Sequence, residues 1–196
     1  MAMRYLTAAI MASVLASAAG AVSQASAASV LAEPNFSNGG FEYPTIPNGY
    51  AQPLSAGQLI GPWVVGDSGV DLVRETYWEA AEGVQSIDLN ANDPGRVSQT
   101  FATIPGLTYT VFYELAGNPT PGHPPAVKTG QILADGQLVA DFTFDTTGKT
   151  NVDMGYVQRA ASFVASDSTT ELSFVSTTPG DAGPVIDDVR MSSCSC

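Results

Sequence analysis

Three observations predict an all-β fold, a two-sheet antiparallel jelly-roll sandwich. Short apolar runs recur between turn-forming clusters drawn from 19 Gly and 13 Pro in 196 residues. Several of these runs alternate with the two-residue period of a strand. Nine to eleven such strands are readable, and no segment reads as a helix, which favours a jelly roll over a smaller Greek-key sandwich. With 44% apolar and 13% charged residues the chain can bury one sizeable core. No shift in composition divides it, so a single domain over residues 28–191 is expected.

Residues 1–27 stand apart from that domain. Arg4 precedes an apolar and small-residue run from Tyr5 to Val22, and Ala25-Ser26-Ala27 follows. This is the pattern of a cleaved secretory signal peptide. A membrane span would need about 20 strongly apolar residues, whereas Thr7, Ser13, Ser17 and Gly20 dilute this run, and no later segment is apolar enough. The protein is therefore expected to be secreted, with a mature start near Ala28.

The formal net charge is −12 at pH 7, and loss of the leader with its Arg4 makes the acidic excess larger. Such a chain has little with which to neutralise a phosphate backbone, so nucleic acid is excluded as a partner. An acidic polymer of the pectin type would need bridging metal ions or local basic patches.

In chain order, Asn35–Glu42 reads as a first strand interrupted at Gly39-Gly40. A Pro/Gly/Ser/Asn-rich loop follows over 43–61. Residues 62–66 and 70–74 read as short strands around a tight turn at Asp67-Ser68-Gly69, with Trp63 assigned to the core. Residues 77–83 form a loop with adjacent aromatics and two carboxylates, and 84–90 resume a strand. The segment 96–116 reads as a central hairpin turning at Ile104-Pro105-Gly106. Its second strand places Leu107, Tyr109, Val111, Tyr113 and Leu115 on a core face. Thr108, Thr110, Phe112, Glu114 and Ala116 form a mixed face that can line a groove. Asp135-Gly136 marks a second hairpin between 129–134 and 137–145, with Leu138, Ala140, Phe142 and Phe144 inward. Strands over 157–165 and 169–176 bring the chain to the last, 184–191.

That last strand carries the sharpest clue. Alternation puts Val185, Asp187, Val189 and Met191 on the face to be buried, with Ile186, Asp188 and Arg190 opposite. A buried carboxylate must be protonated, hydrogen-bonded or metal-bound. Glu42 is its expected acidic partner if the first and last strands adjoin. A structural Ca²⁺ between Glu42 and Asp187 would reconcile the two charges, and backbone N–H donors from a crossing loop would satisfy Asp187 without one.

Glycan binding needs aromatic faces for sugar C–H surfaces, with amides and carboxylates for the hydroxyls. Tyr77, Trp78, Glu79 and Glu82 supply those types in one loop, and Phe112 and Glu114 supply them on the open strand face. Tyr77 and Trp78 would alternatively plug the end of the sandwich. Catalysis finds little footing. His123 is the single histidine, no Gly-x-Ser-x-Gly elbow is present, and a glycosidase pair such as Glu79 with Glu82 would need a defined separation. A matrix or adhesion protein is the other reading. Cys194 and Cys196, the two cysteines, cannot staple the core, but in an oxidising compartment this tail (192–196) can cross-link to another molecule.

Asn38-Gly-Gly-Phe-Glu42, the Trp63 strand, Val70-Asp-Leu-Val73, Ser98-Gln-Thr-Phe101, Leu115-Ala-Gly-Asn118 and Asp141-Phe-Thr-Phe-Asp-Thr-Thr-Gly148 occur in this order, as do Pro105-Gly-x-Thr-Tyr109 and Gly183-Pro-x-Ile-Asp-x-Val189. Together they resemble the bacterial choice-of-anchor C proteins, related to the plant cell-wall DUF642 proteins, over about residues 29–191. The resemblance implies a galactose-binding-like jelly roll akin to carbohydrate-binding modules, with a structural calcium tying the chain ends. It also implies association with cell-wall polysaccharide and with the enzyme pectin methylesterase. The chain stops at Cys196 without the anchoring tail of many members, so free secretion is expected.

Overall fold

A computed structural model describes residues 35–47 and 49–194. The expected signal peptide and Cys196 lie outside the described residues. Twelve strands build two six-stranded antiparallel sheets, with no helix among the described residues. They are β1 (Ala51–Leu54), β2 (Leu59–Ile60), β3 (Trp63–Asp67), β4 (Val70–Arg74), β5 (Gln85–Asp88) and β6 (Gly95–Ala102), then β7 (Thr108–Gly117), β8 (Val127–Ala134), β9 (Gln137–Asp145), β10 (Val157–Val164), β11 (Thr169–Ser176) and β12 (Pro184–Cys194). Sheet A runs β1-β4-β5-β12-β7-β10 and sheet B runs β2-β3-β6-β11-β8-β9.

The two inward faces supply the core. Tyr109, Val111, Tyr113 and Leu115 of β7 are buried while Thr108, Thr110, Phe112 and Glu114 between them are half-buried, which is the expected alternation. Trp63 is fully buried, meets Phe36, Phe41 and Phe174 through its ring, and donates Nε1–H to the Asn38 carbonyl at 2.9 Å. The β8–β9 hairpin forms as expected, with Asp135 and Gly136 at φ of 49° and 75°, the doubly positive turn that suits the twist of paired strands.

Five expectations about local structure are corrected. The central hairpin is an arch: β6 lies in sheet B and β7 in sheet A, and the two do not pair. The turn at Pro105-Gly106 carries the chain across the core, so Phe101 and Tyr109 meet edge to face at 6.2 Å. Two consecutive strands with one apolar face each can bury those faces side by side or opposed, and here they are opposed. Asp67-Ser68-Gly69 likewise joins β3 of sheet B to β4 of sheet A. Asn35–Glu42 is irregular rather than a strand, turning at Asn38–Phe41, while β1 and β2 emerge from the stretch expected to be loop. In β9 a bulge against Ile132/Leu133 breaks the alternation, so Val139 packs against the core and Leu138 is 55% exposed.

The opening segment and the last strand do meet. Val189 N–H donates to the Gly39 carbonyl at 3.0 Å, and a side chain on Gly39 would collide with the Val189 backbone. Asp187, however, lies opposite Glu114 of β7, on the outer face of sheet A, while Ile186 faces inward opposite Leu115. A bulge between Asp187 and Arg190, with Asp188 at φ 44°, then flips the pattern so that Val189 is buried. The single inward face of Val185, Asp187, Val189 and Met191 does not exist, because one extra residue shifts every later side chain to the other side.

Candidate functional site

Asp187 is fully buried although it sits on an outer face, because the loop between β4 and β5 folds over it. Its Oδ2 accepts N–H from Ala81 at 2.8 Å and Glu82 at 2.9 Å, and its Oδ1 accepts the Asp188 N–H at 2.7 Å. Glu42 holds the same loop from the other side, its Oε1 accepting N–H from Val84 and Gln85 at 2.8 Å each. Gln85 then ties back to the opening segment, donating Nε2–H to the Phe41 carbonyl at 2.7 Å and accepting the Ile46 N–H at 2.7 Å. Two acids from opposite chain ends thus fasten one loop. Burial pushes the Asp187 carboxyl up to about 7, with the Glu82 charge adding to the rise and the three N–H donors opposing it.

In this arrangement backbone donors already occupy one oxygen of each acid, so a calcium shared by Glu42 and Asp187 would have to use Glu42 Oε2 and Asp187 Oδ1. An ionised carboxylate oxygen has about two acceptor positions, and on Glu42 Oε1 and Asp187 Oδ2 both are taken by backbone donors. Among the described residues no group of three or more His, Cys, Asp or Glu is arranged to hold a metal ion.

The loop is sealed from within by Trp78. Only 2% of its surface is exposed, and Nε1–H donates to Ser86 Oγ at 2.9 Å, so Trp78 is a plug and not a sugar platform. Tyr77 stays 37% exposed, resting between Trp78 and Tyr50 at ring separations of 5.3 and 5.9 Å. Met154, fully buried, belongs to the second covering loop, which precedes β10. The two loops are joined where Glu79 N–H donates to the Asn151 carbonyl at 2.8 Å and Met154 N–H to Glu79 Oε2 at 3.1 Å.

Beside this roof opens a cleft of about 420 Å³, lined by Glu79, Ala80, Ala81, Glu114, Asp153, Gly155, Tyr156 and Asp188. It brings together two of the expected ligand residues, Glu79 and Glu114, from a loop and from β7. Glu82 points elsewhere, its carboxylate lying over Gly40, and Phe112 sits on the same sheet face opposite Arg190 without lining the cleft. Asp153, Tyr156 and Asp188 were not legible as site residues: two lie in a loop without periodicity and the third reached the cleft through the bulge. Glu114 Oε1 accepts from Gln158 Nε2 at 3.3 Å, and Asp188 Oδ2 pairs with Arg190 Nη2 at 3.2 Å. The Tyr156 hydroxyl is buried without a hydrogen bond of good geometry, and burial raises its phenol above the ordinary value. The lining is therefore rich in acceptors, with Lys149 lying against Gly155 and Arg190 against Asp188 beside it.

His123 lies in the proline-rich loop between β7 and β8, its Nδ1 2.8 Å from Asp181 Oδ1. Among the described residues no serine hydroxyl hydrogen-bonds the imidazole, so a Ser-His-Asp relay is not assembled there.

Fold and cleft together define a jelly-roll β-sandwich of the architecture seen in carbohydrate-binding modules. A solved structure of TmCBM61 in complex with beta-1,4-galactotriose matches 80% of this chain and 96% of that chain at 19% identity, with a TM-score of 0.51. The CBM22-1 xylan-binding domain of Paenibacillus barcinonensis Xyn10C matches 74% and 94% at 15% identity and TM-score 0.49. A family 35 carbohydrate binding module from Clostridium thermocellum matches 74% and 100% at 14% identity and TM-score 0.48. No curated protein matches the chain. The chain belongs to the DUF642 family, described as a protein of unknown function, whose model matches residues 34–192.

Proposed function

We propose that this protein is an exported, non-catalytic carbohydrate-binding module, a DUF642 member of the choice-of-anchor C kind, and that the cleft between the covering loops and β7 is its binding site. One observation carries the reading: four carboxylates, from two loops and two strands, surround an open cleft on a sheet face. Carboxylates are strong acceptors for sugar hydroxyls, and half-buried Tyr156 and Ala80 offer apolar surface beside them. The jelly-roll likeness to a module solved with a galactotriose supports the class of ligand without identifying the glycan. Uronic acid polymers are disfavoured, since their carboxylates would meet Glu79, Glu114, Asp153 and Asp188.

Titration calorimetry against galacto-, xylo- and gluco-oligosaccharides tests this. One of these series is expected to bind, and Glu114→Gln is expected to weaken it by about tenfold, the loss of one charge-assisted hydrogen bond. Undiminished binding by a Glu79→Gln/Glu114→Gln double variant would move the site elsewhere.

A further inference from the structure

Two tyrosines stand open side by side at the margin of the roof. Tyr50, just ahead of β1, is 64% exposed, and Tyr77, in the loop between β4 and β5, is 37% exposed, with ring centroids 5.9 Å apart. Neither belongs to the core. Apolar side chains scattered singly over a surface are normal, whereas adjoining aromatic rings left in water mark a surface that meets a ligand. These rings are also held in place. Tyr77 N–H donates to the Arg74 carbonyl at 2.9 Å, its carbonyl accepts from Asn151 Nδ2 at 3.0 Å, and its ring rests against buried Trp78 at 5.3 Å. The Tyr50 carbonyl accepts the Arg74 N–H at 2.9 Å, so both tyrosines hang from one residue of β4. Rings ordered in advance cost a ligand little entropy.

Side chains alternate along the loop: Tyr77 is exposed, Trp78 buried and Glu79 exposed. The aromatic pair and the cleft that Glu79 lines therefore share the outer side of one loop. Tyrosine rings offer flat faces to the C–H faces of sugars, and Glu75 and Thr76, both exposed beside Tyr77, offer acceptors to the hydroxyls. A formal net charge of −12 disfavours nucleic acid and anionic lipid on the same surface. Rings this exposed let a chain pass across them, where an enclosed pocket would admit only its end. We infer that the glycan site continues from the cleft across Tyr77 to Tyr50, so that the protein takes internal stretches of a neutral polysaccharide with the two tyrosines as its stacking residues. The continuation rests on the glycan reading of the cleft.

The test is calorimetry with disaccharides and hexasaccharides of the galacto, xylo and gluco series. In the series that binds, the hexasaccharide is expected to bind about tenfold tighter than the disaccharide. Tyr50→Ala and Tyr77→Ala are each expected to remove most of that advantage, and Tyr50→Phe to retain it. Leu138→Ala, which removes an equally open apolar side chain from β9 of the other sheet, is also expected to retain it. Tyr50→Ala is the decisive variant, because Tyr77 also supports Trp78, whereas truncating a side chain as exposed as Tyr50 leaves folding intact. Equal affinity for the two lengths, or an advantage that survives both alanine variants, overturns the continuation and leaves the cleft reading standing. An advantage lost equally in Leu138→Ala overturns the tyrosines as its source. Binding lost in the tyrosine variants but kept in Glu79→Gln/Glu114→Gln overturns the cleft, and with it the continuity. Binding of none of these sugars overturns both.

Discussion

The outer face of sheet B is largely open to water, whereas that of sheet A is covered by loops. On sheet B, Val64 is 44% exposed, Thr100 faces Glu171 in the open, and Gln131 pairs with Asp141 at 2.9 Å on the surface. On sheet A, Val73, Ser86, Asp88, Val185 and Asp187 lie on the outward side, yet all are buried. Asp88 is held by N–H from Asn90 at 3.0 Å and Gly183 at 2.9 Å and by the Asn118 amide at 2.8 Å. The same strand periodicity built both faces. The difference lies in what folds over them, and the candidate site opens only where the roof meets the sheet.

The largest expected effect contrasts the two faces. Trp78→Ala removes the plug under the roof and should cost about 3–5 kcal/mol in chemical denaturation, as large core truncations do. Val64→Ala on the bare face should stay within about 0.5 kcal/mol. Similar costs for both would mean the roof is not part of the folded core.

Next comes the fastening of the roof. Asp187→Ala leaves the Ala81 and Glu82 donors without an acceptor and should cost about 2–3 kcal/mol. Asp188→Asn keeps a residue tolerant of positive φ at the bulge and should cost under about 0.5 kcal/mol. Comparable losses would place the fastening elsewhere. EDTA should leave the melting temperature of the unaltered protein within about 1 °C if N–H donors alone satisfy these acids. A fall of several degrees would restore calcium to the site.

The smallest effect is a pH trend that belongs to sheet A. Burial raises Asp88 and Asp187 to about 7 and Asp71 to about 6, all above an ordinary value of 3.8. Groups raised on folding contribute stability that is complete below the unfolded value and lost as pH climbs through the folded one. The melting temperature should therefore fall by about 3–6 °C between about pH 5 and pH 8. A flat or rising profile over that window would contradict the upward shift that burial gives these carboxyls.

Much of the fold was legible because side-chain alternation is a local property. The β7 pattern, the Asp135-Gly136 hairpin and the burial of Trp63 follow from residues within a few positions of one another. The site was less legible. Glu79 and Glu114 were named as ligand residues from chemistry alone, but nothing local links them to Asp153 or Tyr156. Trp78 offered a plug, with a sugar platform as the alternative, and the bond from its indole to Ser86 decides for the plug. Asp187 was expected to be buried and is, yet for another reason: a covering loop, not the interior of the sandwich.

The amino-acid sequence by itself determined that strands would form, that two apolar faces would seek each other, and that an acid near the end needed satisfying. Tertiary structure decided which sheet each strand joined, where one extra residue at Asp188 reversed the faces, and which loops covered which acids. Alternation reports only that a side chain differs from its neighbours; what lies above it depends on backbone donors and carboxylates supplied from far along the chain.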